Sequence, residues 1–451
     1  MRPATRIVIV ADPPIGPAEL EKMQRETFGY FVKEANPRNG LIADKTEPGA
    51  PCSIATVGLA LSSYPVGVVR GFMSRADAVQ RTLATLRFFD ASVQGTETDA
   101  TGYKGFYYHF LDMQSGRRAG ACELSTIDTA FLLAGMLTAA AFFLDDTDDE
   151  REIRERADKL YRRADWQWAQ DGGPTVCQGW KPESGFLSYR WRGYDEAMFL
   201  YLLGLGSPTY PLPTESYAEW TSSYQWRRLY GYELLYSGPL FTHQISHFWI
   251  DLRGLRDEYM RGKDSDYFEN SRRATYVQQR YAIDNPRGFS DYGENCWGIS
   301  ASDGPGPCDI EIGGRRREFF DYLARGVPDG PDDGTIAPWA VVASLPFAPE
   351  IVLPTLDHFI NHVHLQTEDR CGFKATFNPT HPDRSENPFG WVSRWQFGLN
   401  QGPIVLMIEN YRSGLPWRLM RSSSYLTCGL RRAGFTGGWL DAPDGGTTSA
   451  R

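Results

Sequence analysis

The chain repeats a hydropathy pattern in which a segment that is apolar on every side is followed by an amphipathic one. Residues 53–67 and 125–144 are apolar almost throughout, whereas 74–92 and 148–169 carry apolar side chains at helical spacing along one side only. A helix that is apolar all round is buried completely, and a helix with one apolar stripe covers such a helix from outside. The pattern therefore predicts an inner and an outer layer of helices.

The same alternation continues less regularly toward the C-terminus, and strand signals are confined to short pieces such as 371–379. Further helices are predicted at 18–36, 194–207, 246–260, 268–283, 335–346, 349–363 and 401–414. The layering predicts one all-α domain over 1–441, an (α/α)6 toroid barrel with long loops rich in aromatic residues and glycine, and a disordered tail over 442–451. An irregular helical bundle is the alternative architecture.

Four long loops are crowded with Trp, Tyr, Phe, Gly and acidic residues: 103–110, 178–196, 289–306 and 387–403. Large rings are unfavourable in water, so we expect these loops to line a concave site at one end of the ring. Flat rings also pack against the apolar face of a pyranose sugar. We predict substrate contacts, here and near residue 246, for Tyr107, Trp180, Trp191, Arg192, Tyr194, His247, Tyr292, Glu294, Trp297, Asp303, Trp391 and Gln401.

Charge and composition exclude several classes of function. The net charge is -9 and there is no basic arm, which argues against nucleic-acid binding. No apolar run is long enough to cross a membrane. The seven scattered cysteines contain no C-x-x-C pair, and His358 and His362, four residues apart, have no H-E-x-x-H around them, so we predict no metal site. We expect a monomer.

The opening segment, MRPATRIVIVADPPIG, is too short in its apolar part and too rich in proline for a complete signal peptide. As written, the chain is predicted to be cytoplasmic. A trimmed N-terminus or a wrongly assigned start codon would look the same for a periplasmic protein.

Acidic residues stand where two of the apolar helices begin. Ser125 and Asp128 have capping-box spacing, and a carboxylate in that first turn also points toward the mouth of the ring. Glu123 lies just before the cap. Capping alone is the alternative interpretation of Asp128.

Glu196 opens the apolar helix predicted over 194–207, with Asp195 as the expected N-cap. Apolar and aromatic neighbours disfavour a charged carboxyl group, which suits a general acid. Two carboxyl groups across a cleft are the minimum equipment for cleaving a glycosidic bond, and their separation decides between retention and inversion. No G-x-S-x-G elbow, P-loop or dinucleotide motif is present.

Five blocks, at 123–143, 194–212, 294–305, 333–350 and 401–417, resemble the bacterial glucoamylase-like proteins of glycoside hydrolase family 144. The resemblance runs from about residue 18 to 422. The loop over 306–314 departs from it, being shorter than the usual Gly/Tyr-rich run.

The resemblance implies an (α/α)6 barrel that hydrolyses β-1,2-glucan to sophorose or short sophoro-oligosaccharides, without a metal or organic cofactor. It also implies an inverting reaction with Glu196 as proton donor and with Asp128 and Glu123 as further cleft acids. Related domains in cyclic β-1,2-glucan synthases transfer glycosyl groups, so transglycosylation is one alternative. A carbohydrate-binding protein on an inactive barrel is another.

Overall fold

The structure is a computed structural model that describes residues 15–367 and 371–441. Helices dominate it. They are α1 (Pro17–Phe28), α2 (Tyr30–Lys33), α3 (Ile54–Val69), α4 (Arg75–Ala91), α5 (Thr126–Phe142), α6 (Asp148–Arg163), α7 (Met198–Gly206), α8 (Glu215–Thr221), α9 (Glu258–Arg261), α10 (Tyr267–Asp284), α11 (Pro338–Ala343), α12 (Pro349–Asn361), α13 (Gly398–Arg412), α14 (Leu415–Arg421) and α15 (Ser424–Arg432).

The helices form two concentric rings. The inner ring runs through α3, α5, α7, two short 3-10 turns (Leu240–His243 and Ile245–Phe248), α11 and α13, and α13 packs back against α3. The outer positions are taken by α1, α4, α6, α15, α10 and α12, each packed on an inner neighbour. The inner helices are buried along almost their whole length. This is an (α/α)6 barrel, and the predicted fold class is confirmed.

The inner helices approach closely because small residues face each other. A Cβ atom added to Gly58 of α3 would lie 2.1 Å from the carbonyl oxygen of Phe131, and one added to Gly135 of α5 would lie 2.1 Å from the carbonyl oxygen of Gly58. The two backbones therefore touch where glycine leaves room for them. The α3–α5 contact is the most extensive between any two described elements.

Aromatic packing fills the centre of the ring. The indole of Trp249 lies against Phe131 of α5 and Phe199 of α7, and its Nε1 donates a hydrogen bond of 2.9 Å to the hydroxyl of Ser62 on α3. One residue thus joins three inner helices and satisfies its own buried donor. The interior of the ring is packed rather than open.

Short strands lie in the loops between the helices. They are β1 (Cys52–Ser53), β2 (Gly102–Tyr103), β3 (Phe106–Tyr108), β4 (Phe110–Leu111), β5 (Leu124–Ser125), β6 (Gly179–Lys181), β7 (Gly185–Phe186), β8 (Trp226–Leu229), β9 (Tyr232–Leu235), β10 (Leu255–Arg256), β11 (Ala301–Ser302), β12 (Cys308–Ile312), β13 (Arg315–Phe319), β14 (Leu323–Ala324), β15 (Gln366–Thr367), β16 (Gly372–Phe373), β17 (Phe377–Asn378), β18 (Trp391–Val392) and β19 (Thr436–Gly437). The largest sheet has the order β2–β3–β5–β6–β7, and all its pairs are antiparallel.

These strands gather at the end of the ring where the inner helices begin, which we call the mouth. β1 leads directly into α3, and β5 leads directly into α5. The backbone carbonyl of Asp44 accepts a hydrogen bond from Gly398 N at the start of α13. Several inner helices therefore present their N-terminal ends to one face of the molecule.

Two helix predictions need correction. The helix expected over 18–36 breaks at Gly29 into α1 and α2. The one expected over 246–260 is a 3-10 turn ending at Phe248 and the short α9, because the carboxylate of Asp257 caps a separate helix start there. The departing loop at 306–314 forms part of the β12–β13 hairpin.

The predicted disordered tail, 442–451, lies outside the described residues, and so does most of the opening segment. Within 15–367 and 371–441, none of the helices combines the length and apolar character needed to cross a lipid bilayer.

Candidate active site

The register of β3 against β5 brings a histidine beside the acidic segment of the mouth. Tyr108 pairs with Leu124, and the next residue, His109, donates its backbone N–H to the carbonyl of Glu123 at 2.9 Å. The carbonyl of His109 accepts a hydrogen bond from Ile54 N at the start of α3. His109 and Glu123 are thus held side by side by backbone bonds.

The imidazole ring of His109 lies between two carboxyl groups. Its Nδ1 is 2.9 Å from Glu123 Oε1, and its Nε2 is 3.7 Å from Asp128 Oδ2. Burial alone would lower the pKa of His109, but the charges of Asp128 and Glu123 outweigh it and raise the pKa to about 9. The hydrogen bond from His109 in turn lowers the pKa of Glu123. At neutral pH the ring is an imidazolium.

Asp128 occupies the first turn of α5, as predicted. Its backbone N–H donates to Ser125 Oγ at 3.2 Å, and Ser125 Oγ donates to Asp128 Oδ2 at 2.5 Å. Its side chain keeps 12% of its surface exposed, on the side of His109. Asp128 therefore takes part in the N-terminal cap of α5 and also lies in the mouth.

Glu196 lies in a turn two residues before α7, and not within its first turn as predicted. Burial, together with the charges of Asp128 and Asp195, raises the pKa of Glu196 to about 8. The charge of Asp128 thus acts on Glu196, and the facing of these two acids across a cleft stays a prediction. Glu196 is therefore protonated at neutral pH.

Asp195 does not cap α7 as predicted, because the N-cap is Ala197. The Asp195 carboxylate accepts hydrogen bonds from Trp220 Nε1 at 2.9 Å and from Ala197 N at 3.0 Å. Burial raises the pKa of Asp195 to about 6. Its carboxylate therefore anchors the turn to Trp220 of α8.

Two further residues complete the mouth. Burial and the charge of Asp128 raise the pKa of Asp44 to about 6, while His109 and Lys45 oppose the rise. Tyr322 is half-exposed, and desolvation of its hydroxyl together with the charges of Asp44, Glu196, Asp128 and Asp303 raises its pKa. The charges of these four acids therefore all act on the Tyr322 hydroxyl.

A pocket of about 280 Å³ begins at Lys45, the neighbour of Asp44 in the chain, and is lined by none of Asp44, Asp128 and Glu196. Its walls include the aromatic rings of Trp391 and Trp395 and the charged side chains of Lys45 and Asp303. Asp303 accepts a hydrogen bond of 2.6 Å from Ser393 Oγ, and burial raises its pKa. Aromatic walls with a few placed polar groups are typical of ligand sites.

A larger recess of about 1090 Å³ lies between residues 33–51 and 110–120. It is lined by Phe110, whose ring stacks on His109 with centroids 4.0 Å apart, and by none of the acids described above. Among the described residues, no group of three or more His, Cys, Asp or Glu side chains is arranged to hold a metal ion.

Many of the aromatic residues predicted to contact substrate are part of the core. Trp191 donates to Thr126 Oγ1, Trp297 donates to Thr355 Oγ1, and Tyr292 donates to Asp332. These ring hydrogen bonds point inward because buried polar tips need partners. The predicted contacts that burial contradicts are Tyr107, Trp297, Gln401 and His247, which expose 2% of their surface or less. Trp191 and Tyr292 are largely buried, and their contact with substrate stays a prediction.

The remaining predicted contacts divide between the mouth and other surfaces. Asp303 and Trp391 line the pocket, and Trp180 is half-buried on β6, beside the strand that carries the start of α5. Arg192 is paired with Glu219 at 2.9 Å, and Glu294 is exposed on a turn whose carbonyl accepts from Gln279 of α10. Tyr194 packs edge-on against Tyr224 and His243.

Sequence reasoning missed Asp44, Lys45, His109, Tyr322 and Trp395 as mouth residues. His109 lies in one of the four aromatic loops, so its position near the mouth could have been inferred from that loop. Asp44 carries no such signal, because it reaches the site only through the contact of its loop with the distant start of α13.

Comparison with known proteins places the chain among glucoamylase-like proteins. A family model described as "Putative glucoamylase" matches residues 188–424. A curated relative from Parabacteroides distasonis, named exo beta-1,2-glucooligosaccharide sophorohydrolase (non-reducing end), is 29% identical over 448 residues. That alignment covers 92% of this chain and 57% of the relative, so the chain spans little more than half of the relative's length.

Two solved structures are similar over almost the whole chain. A putative glucoamylase from Bacteroides uniformis has a TM-score of 0.83 and 32% identity, covering 95% of this chain and 99% of that one. A beta-1,2-glucanase from Parabacteroides distasonis has a TM-score of 0.80 and 27% identity, covering 93% of this chain and 60% of that one.

Proposed function

We propose, from the premise that this chain belongs to the Glycoamylase family, that it is a glycoside hydrolase acting on β-1,2-linked glucan. The sequence resemblance to glucoamylase-like proteins, the name of the curated relative and the name of the Parabacteroides glucanase structure all support this substrate. The expected products are sophorose or short sophoro-oligosaccharides.

The observation that carries the proposal is a buried carboxyl group with a raised pKa in the same mouth as a second carboxyl group. Glu196 holds a proton at neutral pH because burial and the charge of Asp128 raise its pKa to about 8. Asp128 accepts a hydrogen bond from Ser125 Oγ and lies 3.7 Å from His109 Nε2. A carboxyl group that keeps its proton at neutral pH suits a general acid, and we assign the role of base to Asp128.

In the proposed reaction Glu196 protonates the glycosidic oxygen as the bond to the anomeric carbon breaks. Asp128 takes a proton from the water whose oxygen attacks that carbon from the other side. Both residues exchange their protons with solvent before the next turnover. The reaction is inverting, as the family resemblance implies, and uses no cofactor.

We propose that a glucosyl unit binds in the pocket lined by Trp391 and Trp395. Trp391 and Trp395 offer faces for a sugar ring, and Asp303 and Lys45 offer a hydroxyl acceptor and a donor. Trp180, near the start of α5, is a further proposed contact. We expect Trp395→Ala to raise KM severalfold with a smaller effect on kcat, because it removes binding surface and leaves the acids in place.

The test is a panel of defined polysaccharides, namely linear β-1,2-glucan, laminarin and soluble starch, with reducing-end assays and product chromatography. We expect new reducing ends and sophorose-series products from β-1,2-glucan only. Nuclear magnetic resonance spectra of the first products identify the anomer, and an initial α-anomer would establish inversion. Release of sugars from starch alone would contradict the proposed substrate.

The same panel separates the two alternatives. Longer or cyclic products without a net gain of reducing ends would identify a glycosyl transferring enzyme. Binding of β-1,2-glucan by calorimetry, without turnover over hours, would identify a carbohydrate-binding protein on an inactive barrel.

A further inference from the structure

His109 has the geometry of a fixed cation inside an acidic mouth. Its backbone is bonded on both sides, to Glu123 and to Ile54, and its ring stacks on Phe110 at an interplanar angle of 12°. The ring therefore has little freedom to turn away from its neighbours. Its two nitrogens point at two different acids, Glu123 and Asp128.

We propose that His109 is a positioning residue for the reaction: its imidazolium bridges Glu123 and Asp128 and holds both carboxyl groups in place in the mouth that they share with Glu196. This inference rests on the proposed glycoside hydrolase function. It assigns to His109 a role that neither the family resemblance nor the names of the relatives contain.

The charges around the ring explain why a cation is needed. Glu123 approaches from the segment before β5, Asp128 from α5, Asp44 from the loop that meets α13, and Glu196 from the turn before α7. Lys181 of β6 faces Glu123, and Lys45 faces Asp44. Four carboxyl groups so close together repel one another when ionised, and a neighbour of opposite charge reverses that preference locally.

The contacts of His109 with the acids of the mouth are unequal. Its Nδ1 lies 2.9 Å from Glu123 Oε1 and its Nε2 lies 3.7 Å from Asp128 Oδ2. Among the described residues no ion pair joins the ring to Glu196, and burial is the main cause of the raised pKa of Glu196. The ring therefore fixes Glu123 and Asp128, and Glu196 is the acid of the mouth that it does not hold.

The first experiment measures the charge on His109 without reference to activity. Histidine side chains are isotopically labelled, and the imidazole resonances of the full chain are followed by nuclear magnetic resonance between pH 5 and 10. The signal of His109 is assigned from its absence in His109→Gln or from its contact with Phe110. We expect a pKa of about 9. A pKa at or below 6.5 would overturn the proposal.

The second experiment compares pH profiles of kcat/KM on linear β-1,2-glucan for the wild type, His109→Gln and His109→Lys. Loss of the cation removes the hydrogen bond that lowers the pKa of Glu123, so the acidic limb of the profile should move to higher pH. His109→Lys, which retains a positive charge, should leave the limb near its wild-type position. His362→Gln, the same change at an exposed histidine, is the matched control.

The outcomes are distinguishable from failure of the proposed function. If the wild type does not cleave β-1,2-glucan, the function fails, and the resonance of His109 still reports on its charge. If the wild type is active and His109→Gln is uniformly slower with an unchanged profile, His109 has only a structural role and the proposal is overturned.

Discussion

Replacing Glu196 by glutamine should make the protein nearly inactive and, in alkaline solution, more stable. The substitution preserves the shape of the side chain but removes its titratable proton. Without a general acid the leaving oxygen departs unprotonated, and such losses are typically 10²- to 10⁴-fold in rate, or about 3 to 5 kcal/mol of transition-state stabilisation.

The effect on stability follows from the pKa of Glu196. The pKa is 4.5 for an unperturbed glutamate and about 8 in the folded protein. The native state therefore binds this proton more tightly than the unfolded chain does, and the free energy of unfolding falls as the pH rises from 4.5 to 8. At 1.36 kcal/mol per pH unit the total loss is at most about 5 kcal/mol. Glutamine cannot ionise, so Glu196→Gln avoids the loss.

Thermal unfolding at pH 5 and at pH 9 measures this difference. With an unfolding entropy of about 2.1 cal/mol/K per residue, 5 kcal/mol corresponds to roughly 5 °C for a chain of this size. We expect nearly equal Tm values for wild type and variant at pH 5, and a higher Tm for the variant at pH 9. The activity of the variant should recover in part on a substrate with an aryl leaving group, which needs little protonation.

Glu123→Gln is the matched control, since it makes the same chemical change in the same mouth. The pKa of Glu123 is lowered by the hydrogen bond from His109, so its carboxylate stabilises the native state above pH 4.5 and loses that contribution as the pH falls. Glu123→Gln should therefore be less stable than wild type at pH 9. If Glu196→Gln were destabilised at pH 9 to the same extent, the assignment of the proton to Glu196 would be refuted.

Three further predictions concern the scaffold. Arg325→Met should lower the free energy of unfolding by about 3 to 5 kcal/mol in denaturant titrations, because it leaves the fully buried carboxylate of Asp333 unpaired. Gly58→Ala should lower Tm, since its added methyl carbon would overlap a carbonyl oxygen of α5 2.1 Å away. Arg70→Met should shift acid unfolding to higher pH, because Arg70 lowers the pKa of the buried Glu409 and the stability that this provides is lost as the pH falls.

The layered fold could be predicted because the spacing of apolar residues along a helix indicates how much of its surface is buried. The segments called apolar all round, 53–67 and 125–144, are the inner helices α3 and α5, and the amphipathic 74–92 is the outer helix α4 with Ser74 as its cap. The helix expected over 246–260 is wrong because its mixed apolar pattern is not one stripe of a helix. Residues 245–252 are all buried, although only the first four of them form a 3-10 turn.

The site was predictable only where an acid coincides with the start of an apolar helix. Asp128 and Glu196 meet that condition, whereas Asp44 and Tyr322 reach the mouth from loops through contacts between distant parts of the chain. The aromatic residues in the four loops led to the opposite error, because buried rings were predicted to contact substrate. Loop position alone does not distinguish a ring that faces a ligand from one such as Trp297, whose Nε1 is satisfied by an outer helix.

The position of each acid relative to its helix explains why the two carboxyl groups have different surroundings. Asp128 lies inside the first turn of the 17-residue helix α5, beside the free backbone N–H groups of that turn, the Ser125 hydroxyl and the ring of His109. Glu196 stands two residues outside α7, and within the described part of the chain no hydrogen bond reaches its carboxyl group. Asp128, inside its helix, thus lies beside backbone dipoles. Glu196, less than one helical turn outside its own helix, lacks them and is desolvated. The barrel supplies both environments at adjacent inner helices, α5 and α7, which is why an acid and a base can face each other across one mouth.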